Sequence, residues 1–216
     1  MCCAFSTFRL SDTYRDSPTI FIFTPMSVSF ATLLEITVVI LGFLYVILIA
    51  MEKRIGWIVG VIGSALFVAS NIMQHLYMDT ILNSYYVVAG IYGWYIWGGE
   101  SKGTDIPVAR IKPSLFLGLL AASVLLTIGF GSLLGHYTNN SLPYLDAGVT
   151  VLSFLATWMS TKKYIENWLV WLVADPLAMI LYAMKGGWFY PVLFGAYTIM
   201  AIYGYLKWKK HLANAV

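Results

Sequence analysis

Charge is scarce in this chain: Lys, Arg, Asp and Glu make up 11% of its 216 residues, against about 25% in water-soluble domains. An ordinary solvated surface is thereby excluded. Cysteine occurs only at Cys2 and Cys3, so no disulfide framework or cysteine metal site is available to hold a fold. The three histidines, His75, His136 and His211, are too scattered to suggest a metal cluster. No H-E-x-x-H, G-x-S-x-G or glycine-rich phosphate loop is present, so neither a cofactor nor an enzyme activity is expected. A retinal-binding bundle would need a lysine inside its last helix, and the first lysine there, Lys207, sits at the edge.

What the chain has in excess is apolar length. Hydrophobic residues account for 60% of it and the mean hydropathy is +0.77. A span needs about 20 mostly apolar residues to cross about 30 Å of hydrocarbon, and such stretches are expected at 30–50, 55–76, 80–98, 113–134, 144–161, 166–184 and 188–206. The longest internal joint, Glu100 to Lys112, carries Gly103, Pro107 and five charges. Residues 1–29 read as a loose N-terminal tail, with Met26 as a second candidate start.

Seven spans put the termini on opposite sides, and the cations choose the side. Lys53, Arg54, Lys102, Arg110, Lys112, Lys162, Lys163, Lys207, Lys209 and Lys210 fall on one face, against Arg9, Arg15 and Lys185 on the other. The positive-inside rule then predicts a cytoplasmic C-terminus and an external N-terminus.

The sequence also repeats. A gap-free shift of 111 residues lays Tyr92-Gly93-Trp94-Tyr95-Ile96-Trp97 on Tyr203-Gly204-Tyr205-Leu206-Lys207-Trp208, Trp57 on Trp168, Phe43-Leu44 on Phe154-Leu155, and Glu35 on Asp146. Of the 64 positions so aligned, 15 are identical. The helix near 113–134 has no counterpart. The expected fold is therefore all-α: a polytopic membrane bundle of seven transmembrane helices in a 3+1+3 arrangement, with two parallel three-helix repeats joined by a linker helix. Its segments are the tail 1–29, the first repeat 30–98, the loop and linker helix 99–143, the second repeat 144–208 and a cytoplasmic tail 209–216. Bundles duplicated in this way bind substrate between the halves near the bilayer midplane.

Polar residues inside spans tend to face the bundle interior, because a charged group at a helix centre costs about 2.5–3.5 kcal/mol on insertion scales. At helical spacing, Gly60, Gly63, Ser64, Phe67, Asn71 and Gln74 share one face of the second helix. Trp171, Asp175, Ala178, Tyr182 and Lys185 form the matching stripe on the sixth. The third helix adds Asn83, Tyr86, Gly90, Trp94 and Trp97; the seventh adds Tyr197 and Tyr205; the fifth carries Asp146, Thr150, Ser153, Thr157 and Ser160. Amides, hydroxyls, rings and an acid together suit a planar, polar, cationic solute. Asp175 leads the candidates, being mid-span with Pro176 beside it. Gly60 and Gly63 are read as close-packing residues. Trp57, Trp97, Trp188 and Trp208, at helix ends, are read as interfacial belt residues.

Four segments give the chain a family resemblance: Glu35 opening the first span, Leu48 to Lys53 (LIAMEK) closing it, Tyr92 to Trp97 (YGWYIW), and Thr161 to Trp171 (TKKYIENWLVW). On these it resembles the nicotinamide riboside transporters of bacterial inner membranes, whose relatives include thiamine and riboflavin carriers. The resemblance implies facilitated diffusion of nicotinamide riboside, with Trp168 and Trp171 holding the aromatic ring and Asn71, Asn83 and Asp175 at positions of polar contact. Gly63 and Asp175 stand where some members carry asparagine. The full expected binding set is Asn71, Gln74, Asn83, Tyr86, Trp94, Trp168, Trp171, Asp175, Tyr182 and Tyr197. The expected partners are a cationic aromatic vitamin and membrane lipids, without nucleic acid, and the resemblance allows a homotrimer that no residue pattern demands. A thiamine carrier and a membrane ligand sensor that moves nothing are the competing readings.

Overall fold

A computed structural model describes residues 30–73, 77–98, 106–186 and 189–214. It contains seven helices: α1 (Phe30–Ala50), α2 (Ile55–Met73), α3 (Tyr77–Ile96), α4 (Pro113–Tyr137), α5 (Pro143–Thr161), α6 (Asn167–Met184) and α7 (Phe189–Asn214). The expected tail 1–29, Gln74, His75, Trp188 and the charged loop residues 99–105 lie outside the described residues, as do the side chains of Glu35 and Asn71. The helices run from 18 to 26 residues, roughly 27 to 39 Å at 1.5 Å per residue, which matches a bilayer core. Large apolar side chains such as Ile40, Val88, Leu125, Val192 and Ile199 are exposed around them. A surface so apolar fits lipid and not water.

Helices adjacent in sequence pack as neighbours, α1 on α2, α2 on α3, α4 on α5, α5 on α6 and α6 on α7. Two long-range contacts close the bundle, α1 on α7 and α3 on α5. Among the described residues α4 packs on α5 alone. It leaves Leu117, Val124, Leu125, Ile128 and Leu133 exposed.

The 111-residue shift recurs in the contacts themselves. Trp57 meets Trp97 edge-on at 5.4 Å and 88°, and Trp168 meets Trp208 at 5.4 Å and 86°. The Trp97 indole N–H donates to the Thr161 carbonyl and the Trp208 N–H to the Ala50 carbonyl, each at 3.2 Å. Donors and acceptors here are related by the same shift, each indole reaching across to the other half of the chain. Trp97 and Trp208 then touch each other at 6.2 Å. These rings, with Tyr45, Ile49, Ile165 and Ala201, form one buried cluster. Trp57, Trp97 and Trp208 are at most 2% exposed, so the expectation that they sit in an interfacial belt is wrong. Their flat faces, and the N–H groups of Trp97 and Trp208, serve helix-to-helix packing, which position near a helix end does not reveal.

The ends of α1 and α5 also match. Glu52 and Lys163, again 111 residues apart, both adopt left-handed backbone, at φ 57° and 52°. Glu52 N–H donates to Ile49 and Lys53 N–H to Leu48, while Lys163 N–H donates to Ser160 and Tyr164 N–H to Met159. Both are Schellman caps, in which a residue without a β-carbon is usual at the left-handed position. Here charged residues occupy it, and they pair: Lys163 Nζ lies 3.6 Å from Glu52 Oε2 and 4.7 Å from the Trp97 ring centre. His211 Nδ1 of α7 contacts the other Glu52 oxygen. Lys163 is 1% exposed, so one cation that the sequence places on an open face is buried. The segment before α4 is strapped to this turn by mutual backbone bonds between Ala109 and Lys163/Ile165, and by Ile111 N–H donating to the Glu166 carboxylate.

Candidate functional site

A cleft opens beside the tryptophan cluster. Its lining comes from α1 (Gly42, Tyr45, Val46, Ile49), α5 (Ser160), α6 (Trp168, Trp171, Asp175) and α7 (Tyr197, Ala201). The space not filled by protein atoms is about 460 Å³ including the open mouth. One wall belongs to the tryptophan cluster through Tyr45, Ile49, Trp168 and Ala201. The other belongs to a second core containing Tyr197, Phe194 and Tyr182.

Packing fixes each ring. Tyr45 lies against Gly60, where a β-carbon would come within 2.8 Å of its ring, and meets Trp57 edge-on at 5.8 Å. The shift pairs Gly60 with Trp171, so a ring from α1 fills in one half the place that a ring of α6 takes in the other. Trp168 is seated over Gly204. Its indole N–H is buried with no hydrogen-bond partner among the described residues, as is that of its repeat mate Trp57. Tyr197 packs its ring on Phe43 at 5.0 Å and its hydroxyl beside Gly42. Ser160 Oγ lies 2.9 Å from both the Ala156 carbonyl and Asn167 Oδ1, and Asn167 Nδ2 donates to the Tyr164 carbonyl.

Asp175 is 4% exposed and lines the cleft. Pro176 follows it inside α6 and lacks the N–H that would bond the Leu172 carbonyl. Its repeat mate in the first half is Ser64, so the acid belongs to the second half alone. Among the described residues, no Lys, Arg, His or second acid lines the cleft.

A family model described as nicotinamide mononucleotide transporter matches residues 32–210. The chain belongs to that family. Within it, a nicotinamide riboside transporter of Escherichia coli K12 is 24% identical over 195 residues, covering 78% of this chain and 82% of that one. A nicotinamide riboside transporter of Neisseria mucosa is 27% identical over 184 residues, covering 78% and 69%. A riboflavin/roseoflavin transporter of Streptomyces davaonensis is 26% identical over 126 residues, covering 56% and 59%. The crystal structure of a vitamin B3 transporter, PnuC, superposes with a TM-score of 0.68 at 25% identity, covering 85% of this chain and 83% of that one. The expected resemblance and the all-helical, seven-helix membrane fold are thus borne out.

Of the ten residues expected from the sequence to bind substrate, this family member brings Trp168, Trp171, Asp175 and Tyr197 together on the cleft. Tyr86 and Tyr182 are buried in the second core, Tyr182 stacked on Phe194 at 5.3 Å. Asn83 is buried at 1% exposure on α3. Trp94 carries the Arg54 guanidinium 3.8 Å above its ring, and its carbonyl accepts from Arg54 Nε at 2.8 Å. The α1 contribution, Gly42, Tyr45, Val46 and Ile49, was not among the candidates, because α1 is apolar on every face and shows no stripe. Ser160 stood in the fifth-helix stripe but not in the binding set.

Proposed function

We propose that this chain carries nicotinamide riboside across the bacterial inner membrane, with the cleft between α1 and α5–α7 as its binding site. The observation that carries the reading is the lining: four aromatic rings and one acid, with no basic residue among the described residues. A pyridinium ring stacks on Trp168 and Trp171, and its positive charge is balanced by Asp175. The same lining argues against the mononucleotide named in the family's description, since a buried phosphate needs Arg, Lys or several N–H donors. The halves 30–98 and 144–208, parallel and joined by α4, would rock about the Trp97–Trp208 contact to expose the cleft to either side. The excess of cations at the Glu52–Lys163 end supports a cytoplasmic C-terminus and an external N-terminus. Solute gradients, not a bound nucleotide, would drive the flux.

Uptake by vesicles reconstituted with the full chain tests this. Labelled nicotinamide riboside should accumulate to equilibrium in them and not in empty vesicles, and the mononucleotide should not compete. Thiamine is the second reading, because its ring is also cationic and Asp175 does not separate the two; entry of thiamine with exclusion of the riboside would replace the assignment. Saturable binding with no flux would instead favour a sensor.

Trp171→Ala should weaken riboside binding by roughly fivefold to a hundredfold, the range for losing one ring beneath a base. Titration calorimetry reads this directly. Unchanged affinity would remove Trp171 from the site.

A further inference from the structure

Asp175 raises a question of charge that the binding reading leaves open. Its carboxyl group is buried on the cleft and has no hydrogen-bond or ion-pair partner among the described residues. The other titratable side chains lining the same space are the phenols of Tyr45 on α1 and Tyr197 on α7. Among the described residues, α5 contributes Ser160 to the lining and α6 itself Trp168 and Trp171. Of the ionic groups flanking α6, Glu166 at its N-cap is nine residues away and accepts from Ile111 N–H at 3.1 Å, and Lys185 at its C-cap is ten residues away and pairs with Asp146 at 3.0 Å. The nearest on the α5–α6 turn, Lys163, is engaged by Glu52.

A lone carboxylate enclosed away from water in a membrane bundle costs several kcal/mol unless something neutralises it. To alternate access, the cleft must close on both legs of the cycle, loaded and empty. On the loaded leg a cationic ring supplies the missing charge. On the empty leg none of the described lining residues does.

We infer that Asp175 makes this carrier an exchanger, its carboxylate neutralised by the cationic substrate on one stroke and by a proton on the return. The inference rests on the proposed binding of a cationic ring in the cleft. The balance is simple. On the outer side the acid releases its proton to water and the carboxylate takes the cation. On the inner side the cation leaves and the carboxylate takes a proton from water. Each turnover moves one positive charge inward and one outward, so the cycle is electroneutral and responds to a pH difference. An acidic interior speeds uptake and an acidic exterior slows it. This departs from the simple uniport that the family resemblance implies, and the departure follows from the acid on the cleft.

The test uses the full chain in vesicles holding a pH-sensitive dye, with membrane potential clamped by potassium and valinomycin and labelled riboside added outside. Uptake should alkalinise the lumen by about one proton per riboside and be indifferent to the clamped potential. Asp175→Asn should bind the riboside about tenfold or more weakly. Its residual flux should move no protons and rise severalfold when the interior is made negative, because the loaded form now carries net charge and the empty form none. Wild-type uptake that leaves lumen pH unchanged and accelerates with an inside-negative potential would overturn the exchange while leaving the substrate reading intact. Should the variant fail to fold, wild-type stoichiometry and potential dependence decide alone. Should thiamine enter instead of the riboside, the same proton count decides. Flux of neither cation would overturn exchange and substrate reading together.

Discussion

Glu52→Gln lowers the stability of the purified protein by about 3 kcal/mol, read as a melting temperature several degrees below wild type. The reason is asymmetry of burial. Lys163 Nζ is 1% exposed and Glu52 is 18% exposed, so removing the acid takes this counter-charge from an ammonium deep in the protein. The face of Trp97 at 4.7 Å holds part of that charge and limits the loss. Lys163→Met alone should cost less, because the glutamate left behind reaches solvent and contacts His211. The double variant Glu52→Gln, Lys163→Met should recover most of the stability lost in Glu52→Gln, since a buried pair replaced as a whole is often neutral. Additive losses in the double variant would show that the two side chains do not act on each other. Glu52→Gly separates charge from backbone: it relieves a left-handed strain of about 1–2 kcal/mol, so it should fall between wild type and Glu52→Gln.

These positions show where sequence reading succeeded and where it stopped. The repeat was visible because its conserved residues are ones that chance rarely repeats: Trp57 with Trp168, Gly93 with Gly204, Trp97 with Trp208. Trp57, Trp97 and Trp208 belong to a helix seam and not to the expected belt, since an indole at a helix end serves a lipid interface or a helix seam equally well until its burial is seen and, for Trp97 and Trp208, its N–H reaches Thr161 or Ala50. The left-handed caps were illegible because the usual signal is glycine, and here Glu52 and Lys163 carry it. Trp171 and Asp175 line the cleft and are legible because the stripe of α6 stands out against apolar neighbours, whereas Trp168 is legible through the family resemblance and Tyr197 as a polar ring on α7. Tyr45 did not stand out within α1. The repeat contained the missing clue: Gly60 aligns with Trp171, and a large volume absent from one half must be supplied by another helix. The length of α7 was likewise underread, ending at Asn214 and not near residue 206, because Trp208 anchors a turn whose Lys207, Lys209 and Lys210 look like a solvated tail.

Gly204→Ala is expected to be among the most damaging added methyls at the described glycines. A β-carbon there would sit 2.6 Å from Cε2, Cζ2 and Cη2 of Trp168, far inside contact distance. The indole cannot swing aside, being 2% exposed and held edge-on by Trp208 at 5.4 Å. Helix α7 must therefore move off α6, at a cost of about 3 kcal/mol for overpacking of a rigid core. Gly93→Ala meets the same obstacle against Trp57, at 2.4 Å from Cδ2 and Cε2. The two should nevertheless differ in function. Trp168 lines the cleft and Trp57 does not, so Gly204→Ala should weaken riboside binding in whatever fraction still folds, whereas Gly93→Ala should reduce yield and melting temperature more than affinity. Gly118→Ala and Gly129→Ala provide the control, because nothing lies within 4 Å of a β-carbon at either position and helix propensity favours alanine over glycine by about 1 kcal/mol. Thermal unfolding and riboside titration of the four proteins side by side make the comparison. If Gly204→Ala matches Gly118→Ala in both, α7 does not press on Trp168, and the ring that forms one wall of the cleft is not fixed where the structure puts it.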